Sequence, residues 1–121
     1  MANKLIIPVK QGEEFNVGFT IDAGDRPMDL TGYRVRFIVK EVPLERYPAV
    51  IDKTLTEDSD PSTDGYIPYP DQGEVVVHLT KHDTSFHTGD YSLIIAIEAD
   101  NYFDIISSGC CNEAIFRICE Q

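Results

Sequence analysis

Within the stretch DPSTDGYIPYPD, residues 60–71, six residues fall on the spacing of a twelve-residue calcium loop. Asp60, Ser62, Asp64, Gly65, Ile67 and Asp71 occupy its positions 1, 3, 5, 6, 8 and 12. Oxygens of Asp60, Ser62, Asp64 and Asp71, with the Tyr66 carbonyl, are the hard ligands such an ion takes. Three features oppose that chemistry. Pro61, Pro68 and Pro70 restrict the backbone and remove amide donors. The chain resumes as a strand at Gly73, so the helix–loop–helix frame is missing. Asp71 is also shorter than the glutamate that chelates with both oxygens at the last position. The surrounding TEDSDPSTDGYIPYPDQG is rich in Asp, Ser, Pro and Gly. It therefore reads as a solvated, mobile acidic loop over about 56–72.

Histidines form the second candidate set. His78, His82 and His87 lie close in sequence with Asp83 among them. On a helix His78 and His82 would share a face, but here His78 falls near a strand end and His82 in a turn, so they are read as exposed loop histidines. No Gly-x-Ser-x-Gly, cysteine–histidine pair or glycine-rich phosphate loop is present. Most of the carboxylates sit in loops or on outward strand positions, with none marked as a tuned acid–base pair. The expected site therefore contains no catalytic, cofactor-binding or metal-ligating residue. Cys110, Cys111 and Cys119 are too few and too unevenly spaced for a disulfide framework or a zinc site, and are read as reduced thiols. Tyr66 and Tyr69, on the acidic loop, are either contact aromatics or packed on the loop's own prolines.

Bulk properties narrow the class. The 121 residues carry 21 Asp and Glu against 10 Lys and Arg, a net charge of −11 that argues against nucleic-acid binding. Apolar runs such as LIIAI (93–97) are far too short to cross a bilayer. The opening MANKLIIPVKQGEE lacks the long apolar stretch and cleavage site of a secretory leader, so none is expected.

The elements that must position these residues are strands. Phe15, Val17, Phe19 and Ile21 alternate with polar or small residues, as do Tyr33, Val35, Phe37 and Val39. Val75, Val77 and Leu79 share a face, as do Tyr91, Leu93, Ile95 and Ile97, and then Ala114, Phe116 and Ile118. Weaker strands are expected at 4–9, 49–55 and 102–107. No segment of helical length has a 3.6-residue apolar period. A single all-β domain over 1–121 follows, built as a sandwich of about seven to eight antiparallel strands. Asp83, Gly89 and Tyr91 precede and enter an apolar strand, which resembles the tyrosine corner of immunoglobulin-like sandwiches. Leu93 stands where such a domain carries its second cysteine, and the chain has no Trp. The expected topology is immunoglobulin-like, without the immunoglobulin disulfide.

Three stretches, RPMDLTGYRVRFIVK (26–40), GEVVVHLTKHDTSFHTGDYSLIIAIE (73–98) and DIISSGCCNEAIFRI (104–118), carry a resemblance in order. The pattern is Asp29-Leu30-Thr31-Gly32 before an alternating strand, then Leu79-Thr80 with Asp83-Thr84, then Gly89 with Tyr91. It resembles the N-terminal immunoglobulin-like domain of phage baseplate upper proteins and related tail modules. That resemblance implies a non-enzymatic virion or prophage structural protein that anchors receptor-binding components. It also implies homo-oligomers, other tail proteins as partners, and no cofactor. The alternative class is an immunoglobulin-like module that binds a carbohydrate or a protein through loops such as 57–72.

Overall fold

The computed structural model describes residues 5–23, 26–41, 48–59, 62–99, 102–108 and 114–120. The described chain is built almost wholly of strands: β1 (Leu5–Lys10), β2 (Phe15–Thr20), β3 (Asp22–Ala23), β4 (Arg26–Pro27), β5 (Arg34–Lys40), β6 (Ile51–Leu55), β7 (Gly65–Tyr69), β8 (Glu74–Leu79), β9 (Gly89–Ala99), β10 (Tyr102–Ser108) and β11 (Ala114–Cys119). One short 3-10 turn, Pro70–Gln72, joins β7 to β8. The expected weak strands are thus present, as β1, β6 and β10.

Two sheets enclose one apolar core. The larger has the order β1-β11-β9-β5-β6, and the smaller the order β2-β8-β7. A two-stranded ribbon, β3 with β4, closes the turn after β2. Strand β9 is long enough to serve two neighbours on one edge, β11 along Gly89–Ser92 and β10 along Ile94–Ala99. Its other edge pairs with β5. Alternation decides which side chains are inside. On β5, Val35, Phe37 and Val39 are fully buried while their neighbours are partly exposed. The Phe37 ring lies 6.4 Å from Phe19 on the opposite sheet and 6.2 Å edge-on from Phe116. Val17, Ile67, Val75, Val77 and Leu79 of the small sheet meet Leu93, Ile95, Ile97 and Ile118 of the large one in the same cluster.

Four expectations need correction. The strands are not all antiparallel: β1 runs parallel to β11, from Leu5 opposite Ala114 to Lys10 opposite Cys119. Parallel neighbours need a long crossover, and here the rest of the domain supplies it. The strand count exceeds eight, because a strand lies hidden in the acidic stretch and the turn after β2 contains the short ribbon strands β3 and β4. The stretch 56–72 is not a loop throughout, since Gly65–Tyr69 forms β7 with Ile67 buried beneath it. Gly65 makes that approach possible: its φ is +115°, and a side chain there would collide with the Val76 carbonyl oxygen. Pro68 is tolerated because β7 is an edge strand. Finally, Phe15 was expected inside but is 46% exposed, at the open end of β2. Ala114, also expected inside, has its side chain outside the described set, as do Cys110 and Cys111 entirely.

The corner at Tyr91 is present. Its hydroxyl donates to the His87 carbonyl at 2.7 Å. Burial, with the Glu41 charge behind it, raises the phenol's pKa, so it remains a donor at neutral pH. Tyr91→Phe keeps the ring and loses that bond. A urea titration should show a loss of about 1 kcal/mol with an unchanged slope.

Candidate functional site

The acidic stretch is tied down by its own backbone. Ser59 Oγ donates to the Gly65 carbonyl at 2.6 Å and accepts from the Thr56 amide at 3.0 Å. The Asp64 carbonyl accepts from the His78 amide at 3.1 Å. Asp60 and Pro61 lie outside the described residues. Of the remaining calcium-loop positions, Asp64 precedes β7 and Asp71 follows it in the 3-10 turn. An extended strand rises about 3.3 Å per residue, which sets these two carboxylates roughly 15–20 Å apart. Residues 64 and 71 therefore cannot close on one ion, because the segment between them is stretched rather than looped. Millimolar calcium should leave the melting temperature unchanged in the native chain and in Asp64→Asn alike. A scanning-fluorimetry shift that the substitution abolished would contradict this geometry.

The histidines are dispersed. His78 is buried on β8 rather than exposed in a loop, a correction whose cause is cross-strand cover from β2. Its Nδ1 lies 2.7 Å from Asn16 Oδ1 and its Nε2 3.2 Å from Glu14 Oε2, so neither ring nitrogen is left for a metal. His82 and His87 are exposed in the β8–β9 connection. Among the described residues, no group of three or more His, Cys, Asp or Glu side chains is gathered as a metal site.

The residues of the family-like pattern hold turns and core. Asp29 Oδ1 accepts from the Thr31 amide at 3.0 Å, Leu30 is fully buried, and Gly32 takes a φ of 82°. Asp83 accepts from the Thr80 amide at 2.8 Å while Thr80 Oγ1 accepts from the Asp83 amide at 3.2 Å. The buried Thr84 hydroxyl donates to the Glu13 carbonyl at 2.8 Å, which fastens the start of β2 to this turn. Asp83 has a further partner that the pattern does not contain. Lys53, on the core face of β6, places its ammonium 2.7 Å from Asp83 Oδ2 and donates to the Thr63 carbonyl at 2.7 Å. Burial alone would raise the Asp83 pKa. Hydrogen bonds from Lys53, the Thr80 amide and the Thr80 hydroxyl, with the Lys53 charge, outweigh it and hold the carboxyl below its ordinary range. Lys53 was missed from the sequence, although alternation already put it on the face of Ile51 and Leu55.

No family model matches the chain, and the search of curated proteins finds no significant match. The candidate site therefore rests on the geometry alone.

That geometry directs attention to the surface. The outer face of the large sheet is crossed by ion pairs: Arg34 with Glu98 at 3.0 Å, Arg36 with Asp52 at 2.8 Å, and Arg117 with Asp90 at 2.7 Å. Among the described residues, the exposed large apolar side chains are Ile6, Phe15, Tyr66 and Tyr69. Ile6 and Phe15 belong to the open seam between the sheets on the β1/β2 side. A groove of about 290 Å³ there is lined by Ile6, Pro8 and the whole run from Phe15 to Phe19. It adjoins a second hollow of about 350 Å³, lined by Val9, Lys10, Glu13, Phe15 and Cys119 among others. The lining includes both faces of β2, so the groove follows that strand's free edge rather than crossing one face.

Proposed function

We propose that this chain is an immunoglobulin-like assembly module, a non-enzymatic structural protein of a phage or prophage tail or baseplate that anchors receptor-binding components in the virion. The strand order supports the fold half of this reading. On this reading the small sheet β2-β8-β7 takes the places of the B, E and D strands of an immunoglobulin sandwich, and β6-β5-β9-β11 those of its C′, C, F and G strands. The hydrogen bond from Tyr91 to the His87 carbonyl supports it further.

The observation that carries the functional half is the use made of the pattern residues. Asp29, Gly32, Thr80, Asp83, Thr84 and Tyr91 are all engaged in turns and core, which supports a scaffold role for the stretches that resemble tail modules. Its exposed apolar surface lies along strand edges, where assembly contacts are made. The test is fractionation of particles induced from a host that carries the coding sequence. The chain should sediment with tail or baseplate particles, and its deletion should give particles that lack receptor-binding components. Recovery only in the soluble fraction, with normal particles in the deletion, would contradict the proposal.

A second reading, a carbohydrate- or protein-binding module, is favoured by Tyr66 and Tyr69, which stand 36% and 60% exposed on β7. Saturable binding to a glycan array, lost in Tyr66→Ala/Tyr69→Ala, would select it.

A further inference from the structure

Two sheets present five outer strands among the described residues, and four of them are protected against further pairing. Strand β10, which pairs only with β9, is broken by a register shift between Ile105 and Ser107. Strand β1 carries Pro8, which lacks an amide donor, and β7 carries Pro68. Strand β6 is short and carries Asp52, already paired with Arg36. Strand β2 has none of these devices. Its sequence, FNVGFT, is uncharged, free of proline and apolar at alternate positions, and among the described residues it pairs only with β8. Its free edge opens on the groove lined by Ile6, Pro8 and Phe15 to Phe19.

From this juxtaposition we infer that β2 is an acceptor edge, and that its occupant is an extended segment of a different protein, apolar at alternate positions and bearing Lys or Arg at its ends. An added strand would satisfy the unpaired β2 backbone groups, while one set of its side chains enters the seam beside Ile6 and Phe15. Charge selects the occupant. Exposed Glu13 and Glu14 stand at one end of β2 and exposed Asp22 just beyond the other, in a chain of net charge −11. A second copy pairing edge to edge, in either direction, would set these acids against one another. A cationic-ended strand meets them with opposite charge at both ends. This deepens the assembly reading and takes its biological setting from it. The binding test is separate, since the seam can capture a strand whether or not the chain sediments with particles.

The probe is a fluorescent peptide, Thr-Val-Thr-Val-Thr with two lysines at each end, compared with the same core ended in glutamates. The lysine-ended peptide should bind saturably, at least about tenfold tighter than its acidic counterpart, with the difference shrinking as salt rises. Fast-exchanging β2 amides should become protected in the complex. Phe15→Lys, at a half-exposed position, should weaken the lysine-ended peptide by about tenfold. Glu13→Lys/Asp22→Lys should move the preference towards the glutamate-ended peptide and needs no change in the groove. Absence of saturable binding at millimolar peptide would overturn the inference, as would equal binding of the two peptides. Concentration-dependent dimers that protect β2 without peptide would replace the heterologous strand with a second copy.

Discussion

Phe37→Ala should lower the unfolding free energy by about 3–5 kcal/mol, the largest single loss expected in this chain. Phe37 is fully buried on β5, with Lys53 of β6 and Ile95 of β9 beside it in register. Its ring also spans the interior, 6.4 Å from Phe19 of the small sheet and 6.2 Å from Phe116 of the large one. Truncation therefore opens a cavity where the two sheets meet, and neither sheet can collapse into it without losing its own register. A melting temperature lower by roughly 10–20 °C should accompany the change. Phe15→Ala is the control, because the same truncation at a 46% exposed position should cost no more than about 1 kcal/mol. Equal losses at the two sites would mean that the core is not centred on Phe37.

The second large effect lies at Lys53 and Asp83. Lys53→Met leaves the Asp83 carboxylate without its counter-charge, and Asp83→Asn leaves the ammonium in the same position. Each should cost about 2–4 kcal/mol, slightly under a fully buried pair, because Asp83 keeps 13% of its side-chain surface and its bond from the Thr80 amide. The double variant should lose about 1–3 kcal/mol less than the sum of the two, which a double-mutant cycle reads directly. The pair also makes stability depend on acid. The folded carboxyl is held below its unfolded value of about 3.9, so the contribution is complete above that pH. It is lost as pH falls through the lower folded value. Urea titrations across this range should show a steeper acid loss in the native protein than in Lys53→Met. Parallel curves would show that Lys53 does not hold the carboxyl.

Local alternation carried most of the architecture. Strands β5, β8 and β9 repeat apolar residues at period two, and the structure buries that same set. The Tyr91 corner was equally legible, because a tyrosine, a glycine and a crossover within a few residues define it. What was hidden depends on partners distant in sequence. Strand β7 was masked by Pro68, Tyr66 and Tyr69, and only Ile67 meeting the core through the Gly65 approach makes it a strand. The burial of His78 required Asn16 of β2 and Glu14 just before it. Lys53 reads as a surface cation until Asp83, thirty residues on, is placed against it. The seam was illegible for the same reason: an open edge is a statement about which strand is not a neighbour, and no local pattern contains it.

The open β2 edge is the claim on which the assembly account turns, and amide hydrogen exchange of the isolated protein measures it most directly. In an antiparallel edge strand only every second amide points to its partner. Across Phe15 to Thr20 the account predicts alternation, with amides bonded to β8 slow and those between them fast. Uniform protection along the whole strand, at concentrations where the protein has the mass of one chain, would show the edge already covered from within and would contradict the account.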